Sequence, residues 1–232
     1  MSNSLVNLRD LGGLPVADGG VTRHGVLYRS YAPHEGDVEP AHVPHWPPAT
    51  VVDLRMEREA ERTSYTLPGA ERVLHPLHEA AAPENVRGSD LGALYRHILE
   101  TAPERVAGAA GIVVSRPAPA LVHCTAGKDR TGIVVAALLL SAGVAPDDVV
   151  ADYARTGDNM DAVVQRIARW AKPGARPINP AWLLTPAEAM AEVVAALTTS
   201  THGDVRGWLA AHGTPAGALD EWVGRFVDQP ST

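Results

Sequence analysis

Cys124 is the only cysteine among 232 residues, and its surroundings suit nucleophilic attack on an anion. It ends the apolar run Ala120-Leu121-Val122-His123. Thr125-Ala126-Gly127-Lys128-Asp129-Arg130-Thr131-Gly132 and the apolar stretch 133–140 follow. A strand that turns straight into a helix aims unpaired backbone N–H groups and the positive end of the helix dipole at one spot. A thiolate or a phosphate is stabilised there, and Lys128 and Arg130 strengthen the field. Cys124 is therefore expected to be a nucleophile.

Arg130 stands six positions after the cysteine, a spacing that lets the intervening loop curl until its amides and the guanidinium face the sulfur together. A planar fork of donors suits two phosphate oxygens. The residues expected to bind phosphate are Thr125, Ala126, Gly127, Lys128, Asp129 and Arg130. Gly127 permits a positive φ, Gly132 is expected to let the helix start close against the strand, and Thr131 can donate its hydroxyl to the sulfur. Loss of one such donor is expected to cost about 3 kcal/mol in the transition state. A cysteine serving only as a small buried hydrophobe would leave the charged residues of the loop unexplained. A magnesium-nucleotide loop is disfavoured, because Asp129 follows Lys128 where Ser or Thr should stand.

The sequence His123-Cys124-x5-Arg130-Thr131 resembles the signature loop of cysteine-dependent protein tyrosine phosphatases. With Gly127-Lys128-Asp129-Arg130 it is most similar to the atypical bacterial members of that family. Other stretches agree in order: Asn7-Leu8-Arg9-Asp10-Leu11-Gly12-Gly13, Leu27-Tyr28-Arg29-Ser30, Val52-Asp53-Leu54-Arg55, Asp152-Tyr153, and Gly203-Asp204-Val205 with Leu209 and Gly213. The resemblance implies a phosphomonoester hydrolase working through a phosphocysteine, with no metal or organic cofactor. Its substrate would be a phosphoprotein, a phosphoinositide or a small phosphometabolite such as a sugar or nucleoside phosphate. It favours Asp129 as the acid that protonates the leaving oxygen, with Asp53 as the other candidate. Lys128 and Arg130 oppose that role by favouring the carboxylate, whereas a bound phosphate dianion opposes them, so an acid-shifted optimum is expected. His123 is expected to orient loop backbone. A non-catalytic phosphate-binding module and a sulfurtransferase are the remaining readings.

The formal net charge of -7 and a pI near 5.8 argue against a general nucleic-acid binder or a polybasic membrane-surface protein. The longest apolar run falls short of the ~18 residues a membrane span needs. A lone cysteine excludes an intramolecular disulfide, and Met1–Leu5 reads as no leader, so a reducing cytoplasm is expected.

The strands and helices read along the chain, taken with the resemblance, imply an α/β fold: a mostly parallel central sheet flanked by helices, like that of protein tyrosine phosphatases, with a helical C-terminal third. Residues 1–232 read as a single phosphatase domain. Residues 7 to 20 read as irregular. Strands are expected at 25–29, 50–55, 71–77 and 120–122. Arg29 could bind phosphate or pair with an acidic neighbour, and the pairing is favoured. Asp53 and Arg55, at a strand end, either border the crevice that holds Cys124 or tie strand to loop by a salt bridge. The segment 32–49, with five prolines, cannot form a long helix. The pairs His42/His45 and His75/His78 read as loop histidines because no further ligand completes a metal site.

Helices are expected at 57–62, from Ser89, from Pro103, and over 147–155, 161–170, 187–197, 205–211 and 216–227. Leu91, Leu94, Tyr95, Ile98 and Leu99 share one apolar face and read as core. Thr185 is expected to cap the helix that begins at Ala187, with Glu188 completing a capping box. The resemblance implies a helical segment over 155–200 that can act as a lid.

Overall fold

A computed structural model describes residues 4–82, 90–170, 178–200 and 202–229. The strands are β1 (Arg9–Asp10), β2 (Val21–Thr22), β3 (Leu27–Ser30), β4 (Thr50–Asp53), β5 (Glu71–Leu74), β6 (Ala120–His123) and β7 (Val227–Asp228). The helices are α1 (Glu57–Arg62), α2 (Leu91–Thr101), α3 (Pro103–Ser115), α4 (Asp129–Ser141), α5 (Pro146–Ala154), α6 (Met160–Trp170), α7 (Ala187–Thr198), α8 (Val205–Ala211) and α9 (Ala216–Phe226).

Five strands form one sheet in the order β1-β3-β6-β4-β5. The three pairings among β3, β6, β4 and β5 are parallel, and β1 runs antiparallel to β3. Strands 3, 4 and 6 are buried throughout, as expected where a parallel sheet is covered on both faces. Alternation divides them. Leu27, Val52, Ala120 and Val122 join the larger core, while Tyr28, Val51 and Leu121 face a smaller cluster with Leu5, Leu8, Val43 and Tyr65. The helices supply the larger core. The proline-rich segment 32–49 forms no helix and contributes Val43 and Trp46 to the cover of the other face.

All thirteen residues of α4 are buried, which accounts for a helix that is apolar all round. It packs against α3, α5, α7 and α8. Each large aliphatic side chain so buried contributes about 1.5–3 kcal/mol. The helix therefore has little freedom to shift, and the loop preceding it is held from its far end.

Several local expectations give way. The stretch 7–20 contains β1, whose Arg9 and Asp10 pair with Arg29 and Tyr28; two residues are too few to show a period. β5 stops at Leu74 because Pro76 has no N–H to continue a ladder. α9 ends at Phe226, and Val227–Asp228 pairs instead with β2. Thr185 does not cap α7. Pro186 occupies the N-cap position without a side-chain bond, so the anticipated capping box does not form. Ser89 and residues 171–177 lie outside the described residues. α2 begins with Asp90, whose carboxylate accepts from the Ala93 N–H.

Candidate active site

β6 is the central strand, and His123 at its end lies beside Ser30 on β3 and Asp53 on β4. The loop 124–128 thus leaves the carboxyl edge of a parallel sheet between two neighbours, the usual place for a ligand in an open α/β sheet. Its sharpest turn is Gly127, with φ at 68°. A Cβ there would stand 2.2 Å from the Ser30 carbonyl oxygen, so the position admits only glycine.

The underside of the loop is tied to the sheet by polar groups. Asn7, itself at φ 54°, donates its amide to the carbonyls of Ala126 and Gly127, each at 3.2 Å. Arg29 donates to the Gly127 carbonyl at 2.9 Å and to Asp152 at 2.6 Å. Asp152, on α5, also receives Arg9 at 2.7 Å. Arg9 completes the circuit by donating to Asn7. Burial raises the Asp152 pKa, but Arg29 and Arg9 outweigh it and hold the group below its ordinary value. Arg9 is pushed down to about 10 by burial and by the nearby Arg29. Arg29 therefore pairs with an acid and braces the loop.

Arg130 is wholly buried. Its two terminal nitrogens donate to the two oxygens of Glu59, both at 2.7 Å. Glu59 also accepts from the Thr125 hydroxyl at 2.5 Å and the Met56 N–H at 2.9 Å. Burial opposes charge on both partners; the bidentate pairing wins, raising Arg130 and lowering Glu59. Two polar atoms at this end of α4 have no hydrogen-bond partner among the described residues: Arg130 Nε and Thr131 Oγ1. Such orphans are costly when buried, and Arg29, Arg166 and Arg225 carry an orphaned Nε as well. Cys124 is 2% exposed, and its charge would bear on Arg130, Lys128 and Tyr31. The sulfur therefore lies under cover, within the field of the two cations of the loop.

Lys128 and Asp129 are covered by one residue. Trp182, in a short 3-10 turn at Pro180–Leu183, accepts from the Lys128 ammonium through its carbonyl. Its ring lies 4.7 Å from that ammonium, and its indole N–H donates to Asp129 Oδ2 at 2.9 Å. Lys128 also donates to the Leu184 carbonyl at 3.0 Å. Burial lowers the Lys128 pKa, with Asp129 and Cys124 working against the shift. Tyr95, from α2, donates to Asp129 Oδ1 at 2.6 Å and stands 2.7 Å from the Tyr153 hydroxyl.

Asp53 and Arg55 pair with one another instead of opening onto a crevice. Asp53 accepts from Arg55 at 2.9 and 2.8 Å and from Arg72 at 2.6 Å. Arg55 goes on to Thr63. Burial raises the Asp53 pKa, but His123, Arg55 and Arg72 overcome it and leave the group well below the usual carboxylate range. A carboxylate so held has no proton to give. His123 meets Tyr65 at 2.6 Å and the Cys124 carbonyl at 3.1 Å, and burial pushes it down to about 4. It fixes backbone as a neutral ring.

The strand, loop and helix therefore bring together Cys124, Thr125 to Arg130 and Thr131, while Asp53, Arg55 and His123 form the packing behind them. Gly132 faces neither strand nor loop: a Cβ there would meet Tyr153 at 3.0 Å and Met190 at 3.1 Å, so it serves helix packing. Sequence reasoning missed Glu59, Tyr95 and Trp182. Glu59 sits in a run of charged residues, Tyr95 lies on a face that reads as core, and Trp182 follows a proline-rich stretch. For Asn7, Arg9 and Asp152, the motif stretches supplied the signal without the role.

A cysteine loop between the central strand of a parallel α/β sheet and a buried helix is the frame, and comparison with known proteins gives the class: this is a phosphatase. It belongs to the tyrosine phosphatase family, whose pattern it matches over residues 2–228. A protein of Cupriavidus necator named as a tyrosine-protein phosphatase is 33% identical over 196 residues, 75% of this chain and 69% of the relative. The triple specificity protein phosphatase PtpB of Mycobacterium tuberculosis is 50% identical over 50 residues, 22% of this chain and 18% of its own. A tyrosine-protein phosphatase of Nostoc commune is 35% identical over 109 residues, 44% of this chain and 37% of its own. Its substrates are phosphorylated molecules, and among the described residues no helix is long and apolar enough to cross a membrane.

Proposed function

We propose that this phosphatase works through a phosphocysteine. Cys124 Sγ attacks phosphorus and the bond to the leaving oxygen breaks, while the Asp129 carboxyl gives that oxygen its proton. Water then attacks phosphorus, Asp129 takes up a proton of that water, and the P–S bond breaks as Thr131 donates its hydroxyl to the departing thiolate. The first amides of α4, the loop amides and Arg130 hold the three equatorial oxygens. The observation that carries the reading is the pair of orphaned donors, Arg130 Nε and Thr131 Oγ1, beside a lone thiol. Glu59 takes both terminal guanidinium nitrogens, which also reach the Leu54 carbonyl and the Thr125 hydroxyl, so Nε is the donor left for phosphate.

Asp129 is the acid in this scheme because Asp53 is committed to Arg55 and Arg72. The chain works as one domain. Within 155–200, the turn that carries Trp182 acts as a lid over Lys128 and Asp129. Phosphotyrosine heads a broad phosphomonoester range, a reading supported by the names of the relatives. A small sugar or nucleoside phosphate is the second reading, favoured by the 2% exposure of Cys124. A lone thiol that must stay reduced suits the cytoplasm.

Loss of p-nitrophenyl phosphate hydrolysis in Cys124→Ser tests the chemistry; turnover surviving that substitution rejects it. Comparing a phosphotyrosyl peptide, an inositol phospholipid and a panel of sugar and nucleoside phosphates tests the range.

A further inference from the structure

The carboxyl of Asp129 is gripped by groups that the reaction scheme leaves unused. Tyr95 donates to Oδ1 from α2, and Trp182 donates to Oδ2 from the turn at Pro180–Leu183. Behind Tyr95 stands Tyr153 of α5, its ring edge-on at 85° with centroids 6.2 Å apart. All three side chains are buried to 1% exposure or less. Gly132, one turn along from Asp129, leaves the space Tyr153 fills.

A carboxyl group has two rotatable bonds, and donors fixed on each oxygen remove both freedoms. Proton transfer demands this, because acid and leaving oxygen must come within about 2.6–3.2 Å of each other. We propose that Tyr95 and Trp182 are positioning residues that hold the plane of the Asp129 carboxyl for proton transfer to the leaving group, with Tyr153 bracing Tyr95. The proposal rests on the assignment of Asp129 as the acid. Burial, and then the charge of Asp129, push both phenols well above their ordinary range, so each hydroxyl keeps its proton throughout the reaction. Because the Tyr95 hydroxyl donates to Asp129, the Tyr153 hydroxyl is the donor between the two phenols.

Charged and titratable groups surround Asp129. Lys128 Nζ lies 3.3 Å away, and Arg130 and Cys124 share the loop. Tyr95 and Tyr153 approach from α2 and α5, with Arg29 beyond Tyr153. From α7 the neighbour at this end of the helix is the apolar Met190. Removing the Tyr95 hydroxyl takes away one of the two donors that fix the carboxyl, so its aim is lost.

The experiment compares Tyr95→Phe, Trp182→Phe, Tyr153→Phe and Asp129→Asn on aryl phosphates graded from dinitrophenyl to phenyl, with thermal melting of each variant. A good leaving group needs no proton, so the expected kcat loss for Tyr95→Phe and Trp182→Phe is small on the dinitrophenyl ester and about tenfold on phenyl phosphate. Tyr153→Phe shows a weaker form of the same loss. Equal losses across the series would overturn the proposal, leaving these residues as packing. Asp129→Asn separates the two layers. If it shows the leaving-group dependence and the aromatic variants do not, the positioning fails alone; if it lacks that dependence, the acid assignment fails with it. Should Tyr95→Phe not fold, Trp182→Phe and Tyr153→Phe carry the same comparison.

Discussion

A single missing side chain shapes the loop. Gly127 sits at positive φ with the Ser30 carbonyl 2.2 Å from where a Cβ would be. Gly127→Ala must displace backbone, and about 2–3 kcal/mol of stability is expected to go with it. Phosphate turnover should fall at least tenfold, because loop amides that shift by a fraction of an ångström lose their aim. Urea unfolding together with kcat on p-nitrophenyl phosphate checks both; a variant with wild-type kcat would show that the loop tolerates another path.

The residues of this loop were legible because their chemistry is local: thiol, glycine and arginine stand within seven consecutive positions. Their partners were not. Tyr95 shares a helical face with Leu91, Ile98 and Leu99, and no period distinguishes a tyrosine that packs from one that donates. Trp182 reaches Asp129 across 53 positions, a distance over which sequence pattern carries no signal.

At the scale of elements, the site depends on β1, β3 and α5 meeting beneath the loop through one carboxylate. Asp152→Asn would leave Arg9 and Arg29 as buried guanidiniums short of a charge partner, at a cost of about 3–5 kcal/mol. The midpoint of chemical denaturation should drop accordingly, and phosphate affinity should fall with it because Arg29 also holds the Gly127 carbonyl. A drop below 1 kcal/mol would mean that the circuit is slack. The long elements were readable, since α2, α4 and α7 carry clear apolar faces and the central strands are apolar runs. β1 and β7 were not, being two-residue pairings fixed by strands far along the chain. The cover opposite the helices was read only negatively, as a place where five prolines forbid a helix. That it packs over Tyr28, Val51 and Leu121 follows from the sheet needing both faces dry.

The whole molecule should weaken in mild acid. His123, buried and pushed down to about 4, stays neutral in the folded chain where the unfolded one takes up a proton. Between about pH 6.5 and 4 the unfolded state therefore binds more protons. Stability falls by roughly 3 kcal/mol from this group as pH drops through that window, and its contribution is constant below it. Burial and Arg166 push His34 down to about 3, which adds in the same direction. Unfolding free energies measured from pH 7 to 4 should fall steeply for the wild type and less so for His123→Gln; identical slopes would reject the assignment.

Asn7 grips the carbonyl of Gly127, 120 positions later, and Arg9 grips Asp152, 143 positions later. On the ribosome the first of these partners must wait for the second. β1 finds β3 early, but the cradle cannot close until residue 152 has emerged. Catalytic competence is thus among the last properties this chain acquires during its own synthesis, and contacts of such long range make that step slow.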